Sequence, residues 1–352
     1  MLFLTGATGL VGGGVLARML RADPALRVAV LVRDPSRWPA IDRVTPVAGD
    51  LCASGLGLTP DVRAALAREV HLVVHAAADV VFSRPLDVAR ATNVQGTRRV
   101  LDLVHEWPRV GQVVYVSTAF VAGRRTGSVA EAEEDGAAGW VNAYEQSKWE
   151  AERLVRAATR PWLIVRPSTI VCDDPDGGVV TQYNAVHHAV RLLHRGLVPM
   201  IATAPQASVD LVPADYVAGA IAALAVRHDL AGRTLHLCAG AGALAVPDLL
   251  ENTWEVFARN PAWRRKALPR PVLTDLATYA LLERSIDQTG DEMLQRAVRG
   301  LSHFAPQLAL PKRFETAGAD ALLGAPAPPV GAYWARVVEH LLAVRWGGGM
   351  AA

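Results

Sequence analysis

Tyr144 and Lys148 stand four residues apart in Tyr144-Glu145-Gln146-Ser147-Lys148, and a helix beginning near Ala143 projects both side chains from one face. An ammonium beside a phenol favours the tyrosinate. Lys148 is therefore expected to draw the Tyr144 pKa down from its reference of about 10, so that the phenol acts as acid or base near neutrality. Lys148 is also placed to hold a nicotinamide ribose. Upstream, Val113-Val114-Tyr115-Val116-Ser117-Thr118 is an apolar strand ending in two hydroxyls, at the sheet edge where ligands bind in parallel α/β folds. Thr118 or Ser117 can donate to a substrate oxygen there. A Tyr-Lys spacing alone also describes an exposed helix face; the strand in front of it favours the catalytic reading.

A second group of residues suits a dinucleotide. Thr5-Gly6-Ala7-Thr8-Gly9-Leu10-Val11-Gly12 follows a strand and opens a helix. Gly6 permits a tight turn, Gly9 lets the backbone approach a pyrophosphate, and Gly12 allows close packing of helix on strand. The helix start, with Leu10 and Val11, offers free N–H groups, and Thr8 adds a hydroxyl. A structural glycine-rich turn is the bland alternative, weakened because this loop begins the predicted sheet. At the end of the second strand, where an acid commonly binds the ribose of NAD, the chain carries Arg33, then Asp34, with Arg37 nearby. A cation there suits a 2′-phosphate, so NADPH (NADP+) is expected over NADH, against the plainer alternative of an Arg33–Asp34 surface pair.

These residues need a frame, and the apolar pattern supplies one. Short, nearly all-apolar runs at 2–5, 28–32, 44–48, 72–76, 112–117, 162–166 and 234–238 alternate with helical stretches at 10–20, 60–69, 85–106, 143–157 and 214–225. The expectation is an α/β fold, a Rossmann-type doubly wound parallel sheet. Pro46 puts the third strand at an edge. After about residue 240 the alternation stops, and Trp254, Trp263, Trp334 and Trp346 appear among helical and Pro-rich pieces. Residues 1–240 are thus expected to form the NADP-binding domain, with a substrate-loop insertion at about 171–206. Residues 241–352 then form a smaller, mostly helical C-terminal substrate-binding region ending in a frayed Gly-Gly-Gly-Met-Ala-Ala.

Composition excludes several classes. With 51% hydrophobic residues the chain has a sizeable core, and 36 basic against 34 acidic residues leave no nucleic-acid footprint. Three cysteines without paired spacing indicate neither a disulfide framework nor a zinc cluster. The opening Met-Leu-Phe-Leu-Thr-Gly lacks a secretory pattern, and the longest apolar stretch, near 217–226, is half a membrane span, so no integral membrane segment and a cytoplasmic location are expected. Adjacent His187 and His188 point in different directions on a helix and are not read as metal ligands. Asp215 suits a helix start, and the basic cluster Arg264, Arg265, Lys266 and Arg270 reads first as a solvated face.

Taken together, the motifs resemble those of extended short-chain dehydrogenase/reductases over roughly residues 2–240. The glycine loop, Gly49-Asp50-Leu51, His75-Ala76-Ala77-Ala78, Asn93-Val94-Gln95-Gly96-Thr97, Val116-Ser117-Thr118-Ala119-Phe120, the Tyr144 to Lys148 run and Arg166-Pro167-Ser168-Thr169 occur in that family's order. Within it the chain is most similar to fatty acyl-CoA reductases and thioester reductase domains, through the stretch beginning at His75, the segment around Asp210, Pro213 and Asp215, and the late run with Phe304, Pro306 and Phe314. The resemblance implies a catalytic triad of Thr118, Tyr144 and Lys148, with Thr118 rather than Ser117 at the hydroxyl position. It implies that Asp50 and Leu51 flank the adenine, that Ala76 and Ala77 line the dinucleotide, that Pro167 and Thr169 sit by the nicotinamide, and that Asn93 is structural or orders the site. The implied activity is NADPH-dependent reduction of an acyl thioester, ending at the aldehyde or going on to the alcohol, with acyl-CoA or acyl carrier protein as the donor. A hydroxysteroid-type or sugar-nucleotide dehydrogenase or epimerase shares fold and triad. A cofactor-sensing protein without catalysis is disfavoured, because both Tyr144 and Lys148 are present.

Overall fold

The computed structural model describes residues 1–286, 288 and 290–347. The expected frayed end lies, from residue 348 on, outside them. Seven strands form one parallel sheet: β1 (Leu2–Thr5), β2 (Val28–Val32), β3 (Val44–Ala48), β4 (Leu72–His75), β5 (Gln112–Val116), β6 (Trp162–Pro167) and β7 (Arg233–Leu237), in the order β7-β6-β5-β4-β1-β2-β3. The strand order reverses beside β1, as a doubly wound sheet requires. Pro46 lies on edge strand β3, where its missing N–H costs no central ladder bond.

Alternation along each strand divides the core between two faces. Leu2, Leu4, Val28 and Val30 pack on the side of α1 (Leu10–Ala22), and Phe3, Ala29, Val73 and Val113 pack on the other with α2 (Pro60–Glu69) and α3 (Leu86–His105). α4 (Ala143–Arg156) lies beside α3. α5 (Ala185–His194) rises from the insertion, and α6 (Ala214–Ala225) packs on α1, where Arg18 pairs with Asp215. Asp215 thus serves the first turn of α6 and also ties the two helices together.

The C-terminal region is helical as expected: α7 (Val246–Ala258), α8 (Pro261–Arg264), α9 (Leu276–Ile286), α10 (Glu292–Ser302), α11 (Ala305–Leu308), α12 (Ala317–Leu323) and α13 (Trp334–Ala343). It shares a core with the sheet, since Leu163, Val165 and Leu235 belong to the same apolar cluster as Trp254, Phe257, Trp334 and Val337. It also returns to the first part as a strand, Lys312–Phe314, paired in parallel with Gly127–Val129. Both ring nitrogens of His187 are engaged, with the Asn184 N–H at 2.9 Å and the Val171 carbonyl at 2.7 Å, which accounts for that residue structurally.

Candidate active site

The carboxyl ends of β1, β4, β5 and β6 converge on the site. At the first, Gly6 has φ +79° and lies so close to Ala76 and Ala77 that a Cβ would come within 2.6 Å of the Ala77 nitrogen. Gly12 is equally forced, because its Cβ would meet the Gly6 carbonyl at 2.2 Å. Gly9 differs. Its nearest neighbour would be the Gly6 oxygen at 3.4 Å, an ordinary contact, so the protein itself does not require a glycine there. Gly9 and Thr8 are exposed at the start of α1, which no side chain caps. An open, uncapped helix N-terminus with a glycine that clears space outside the fold fits a dinucleotide pyrophosphate.

The other expected cofactor residues lie along the same sheet edge. Arg33 follows β2 and is exposed, while the Asp34 carboxylate caps the next turn through the Ser36 N–H and hydroxyl at 3.0 and 2.6 Å. Among the described residues there is no Arg33–Asp34 ion pair. Asp50 and Leu51 follow β3, where Asp50 accepts from the Cys52 N–H at 2.8 Å and Leu51 is buried beside Gly96. Pro167 closes β6, and Thr169 opens the strand after it.

Beneath the glycine loop runs a buried hydrogen-bond chain. The Ala77 N–H donates to Thr5 Oγ1 at 3.2 Å, and Thr5 meets His75 Nδ1 at 2.7 Å; His75 Nε2 meets Thr97 Oγ1 at 3.0 Å, and Thr97 donates to the Asn93 carbonyl at 2.7 Å. Because the Thr97 proton goes to Asn93, His75 must donate from Nε2 and accept from Thr5 at Nδ1. Burial, aided by Lys148, pushes the His75 pKa down to about 3 and keeps the ring neutral. Asn93 in turn accepts from the Asp79 N–H and donates to Ser147, 2.8 and 2.9 Å away, and Ser147 donates to the Tyr144 carbonyl at 2.9 Å. The loop and the helix that carries Tyr144 and Lys148 are thereby joined through side chains.

On α4 the expected pair shares one buried face. Asn142 caps the helix by accepting from the Glu145 N–H at 3.0 Å. Lys148 is 2% exposed; its ammonium donates to the Val116 carbonyl at 2.8 Å and stands 4.2 Å over the Tyr115 ring. Tyr144 packs against Phe82, ring centroids 5.4 Å apart, and lies beside Thr118, whose oxygen accepts from the Phe120 N–H at 3.3 Å. The Ser117 hydroxyl is buried without a hydrogen-bond partner among the described residues. Thr118, Tyr144 and Lys148 are thus gathered at the end of β5, with the Thr118 hydroxyl beside the phenol.

One expectation is reversed. Burial pushes the Tyr144 pKa up to about 12, opposed by the neighbouring Thr118 hydroxyl, and burial lowers Lys148 to about 7 against the pull of Glu152. The ammonium is engaged by the Val116 carbonyl and the Tyr115 ring, so desolvation governs the phenol. Tyr144 is a neutral donor throughout the working range. Accordingly, at pH 10 the ultraviolet difference between the wild type and Tyr144→Phe should contain no tyrosinate band; a full tyrosinate signal from Tyr144 at that pH would contradict the buried placement.

Several neighbours had no signal in the motif. Glu145, 1% exposed, accepts from the Val141 N–H at 2.9 Å and from the amides of Asn142 and Gln307, and burial raises its pKa to about 7. Lys312 donates to the Gly123 carbonyl and to Gln307, and burial lowers it to about 8. Below them Arg166 and Glu152, both buried, form a two-pronged pair at 2.8 and 2.7 Å that fastens β6 to α4.

A reversing parallel sheet, a glycine loop at its centre and a buried Tyr-Lys helix facing it give the chain the fold of the extended short-chain dehydrogenase/reductases. The NAD-binding family model described as male sterility protein matches residues 4–221, well over half of the chain, and the chain belongs to that family. It is 37% identical over 183 residues to the hybrid PKS-NRPS synthetase poxE of Penicillium oxalicum, a match covering 48% of this chain and 4% of that protein. It is 27% identical over 270 residues to the putative fatty acyl-CoA reductase CG8303 of Drosophila melanogaster, covering 61% and 50%. The chain therefore spans half or less of these relatives. Among solved structures, the terminal R domain from the myxalamid PKS-NRPS biosynthetic pathway superposes with a TM-score of 0.78 at 26% identity, over 99% of this chain and 92% of that one. Among the described residues no helix is long and apolar enough to cross a membrane.

Proposed function

We propose that the chain is an NADPH-dependent reductase of acyl thioesters, taking its acyl group from CoA or an acyl carrier protein and producing the aldehyde, with a second reduction giving the alcohol. The observation that carries this reading is the burial of Thr118, Tyr144 and Lys148 together at the end of β5, in a chain of this family. Gly6, Thr8, Gly9, Leu10, Val11 and Gly12 would hold the pyrophosphate, Asp50 and Leu51 the adenine side, Ala76 and Ala77 the dinucleotide, Lys148 the ribose, and Pro167 with Thr169 the nicotinamide side. Bound there, the reduced nicotinamide would supply the hydride. The chain's own part is electrostatic. Tyr144 and Thr118 donate hydrogen bonds to the carbonyl oxygen as it gains charge, each donor of this kind contributing about 10²–10³ in rate. For a thioester the phenol keeps its proton while the thiolate departs; for an aldehyde it delivers the proton to the alkoxide. The unpaired cysteines Cys52, Cys172 and Cys238 accord with a reducing, cytoplasmic setting.

The deciding experiment follows NADPH absorbance with a panel of acyl-CoAs, free aldehydes, steroids and nucleotide sugars. Oxidation with acyl-CoAs is expected, and activity confined to steroids or nucleotide sugars would replace this reading with the dehydrogenase or epimerase one. Arg33 gives a separate check. Charged hydrogen bonds contribute about 1.5–3 kcal/mol, so the wild type should bind NADPH about 10- to 100-fold more tightly than NADH, and Arg33→Ala should lose that preference. Equal wild-type affinities in binding titrations would remove the assignment.

A further inference from the structure

Thr118 and Tyr144 come from different elements, and one late segment of the chain grips the supports of both. The Thr118 oxygen is held by the Phe120 N–H within the turn Ala119–Ala122, which closes at Gly123. Gly123 has φ +56° and lies so close to the chain entering α4 that a Cβ would come within 1.9 Å of the Gly139 carbonyl oxygen. From the other side Lys312 donates to the Gly123 carbonyl, and the Phe314 ring stands edge-on to Phe120 with centroids 6.1 Å apart. The same segment reaches the first turn of α4 through Gln307, whose amide nitrogen donates to Glu145 while its oxygen accepts from Lys312 at 3.0 Å. Glu145 completes the path by accepting from the Val141 N–H at 2.9 Å, where the chain enters the helix.

Gly123, Lys312, Gln307 and Glu145 thus form one chain of bonds between the Thr118 turn and the start of α4. All three bridging side chains are buried, Glu145 at 1% exposed and Gln307 and Lys312 at 8%. Taking a carboxylate, an ammonium and an amide out of water costs free energy that apolar side chains of the same volume would not. What the polar chain adds is direction, since each bond favours an angle as well as a distance.

We infer that Gln307 and Lys312 are positioning residues: acting through Glu145 and Gly123, they clamp the Tyr144 phenol beside the Thr118 hydroxyl so that both donors meet one substrate oxygen. The inference rests on the thioester-reductase reading for the substrate that carries this oxygen, whereas the placement of the phenol is observable without turnover. Protein labelled with carbon-13 at the tyrosine ζ carbon has six tyrosines to observe by NMR near neutral pH, and Tyr144→Phe identifies the resonance of Tyr144. Gln307→Leu and Lys312→Met should each shift or split that resonance. The Tyr333 resonance, from a phenol fastened instead to the Leu211 carbonyl at 2.8 Å, should stay in place. Both variants should lower kcat about 10- to 100-fold, because a misplacement of about 1 Å costs about 10²-fold. KM for an acyl thioester and the NADPH dissociation constant should stay within about twofold, since neither binding surface is altered. Lys312→Met decides alone if Gln307→Leu fails to fold by thermal melting. A Tyr144 resonance unmoved by the substitutions, one that moves only together with Tyr333, or one that moves at unchanged kcat overturns the inference. The two readings part on the wild type. If it reduces no acyl thioester while the variants move the Tyr144 resonance alone, the clamp stands and the reductase falls. Thioester reduction at the wild-type rate in the variants, with the resonance unmoved, removes the clamp and keeps the reductase.

Discussion

Tyr144→Phe is expected to lower kcat by about 10³-fold while the NADPH dissociation constant moves by no more than about twofold, because the ring and its contact with Phe82 remain and only the donor is lost. Lys148→Ala should damage both constants. Its ammonium holds the Val116 carbonyl in a buried setting, and in the proposed site it also holds the cofactor ribose, so binding and chemistry fall together. Thr118→Ala should cost less than Tyr144→Phe, as one of two donors to the same oxygen. Steady-state kinetics on thioester and aldehyde separately give the sharper check. A Tyr144→Phe protein with full thioester activity, deficient only on aldehydes, would show that the phenol is not needed in the first reduction, and the shared triad would have to be withdrawn.

Gly9→Val should abolish measurable NADPH binding, a loss of more than about 100-fold, with a melting temperature within about 2 °C of the wild type. The residue is exposed with φ −88°, which a valine adopts, and its Cβ would meet only the Gly6 oxygen at 3.4 Å. Gly12→Val makes the contrast, since its Cβ would press to 2.2 Å from that same oxygen and must force α1 off β1. Cofactor titration beside thermal melting distinguishes the two. Unchanged affinity in Gly9→Val would mean that the cofactor does not pass this loop.

Most of the frame was legible in the chain because its strands are covered on both faces and therefore read as unbroken apolar runs. Each of the seven lies within a residue of its expected bounds, and Pro46 marked the edge. α4 was equally plain from the Tyr144–Lys148 spacing, although the Asn142 cap was not read. Spacing says nothing of depth, however, and depth decides the electrostatics. Lys148 at the surface would have lowered the phenol; buried and engaged by Val116 and Tyr115, it does not. Glu145, Gln307 and Lys312 were illegible for a related reason, since polar residues read as solvated until partners far along the chain satisfy them. Phe82 carried no mark beyond being apolar in a loop.

The strand Lys312–Phe314 beside Gly127–Val129 also sets an order of assembly. All seven sheet strands are complete by Leu237, whereas the contact of Lys312 with Gly123 joins positions 189 apart in sequence, and the Gln307–Glu145 bond spans 162. Pairings this distant form late, after closure of a long loop. A chain emerging from the ribosome would thus complete its dinucleotide cradle long before the start of α4 is latched. During that interval the nascent protein could hold a dinucleotide without a finished reaction centre, and the segment carrying Gln307 and Lys312 would act as the key that arms it.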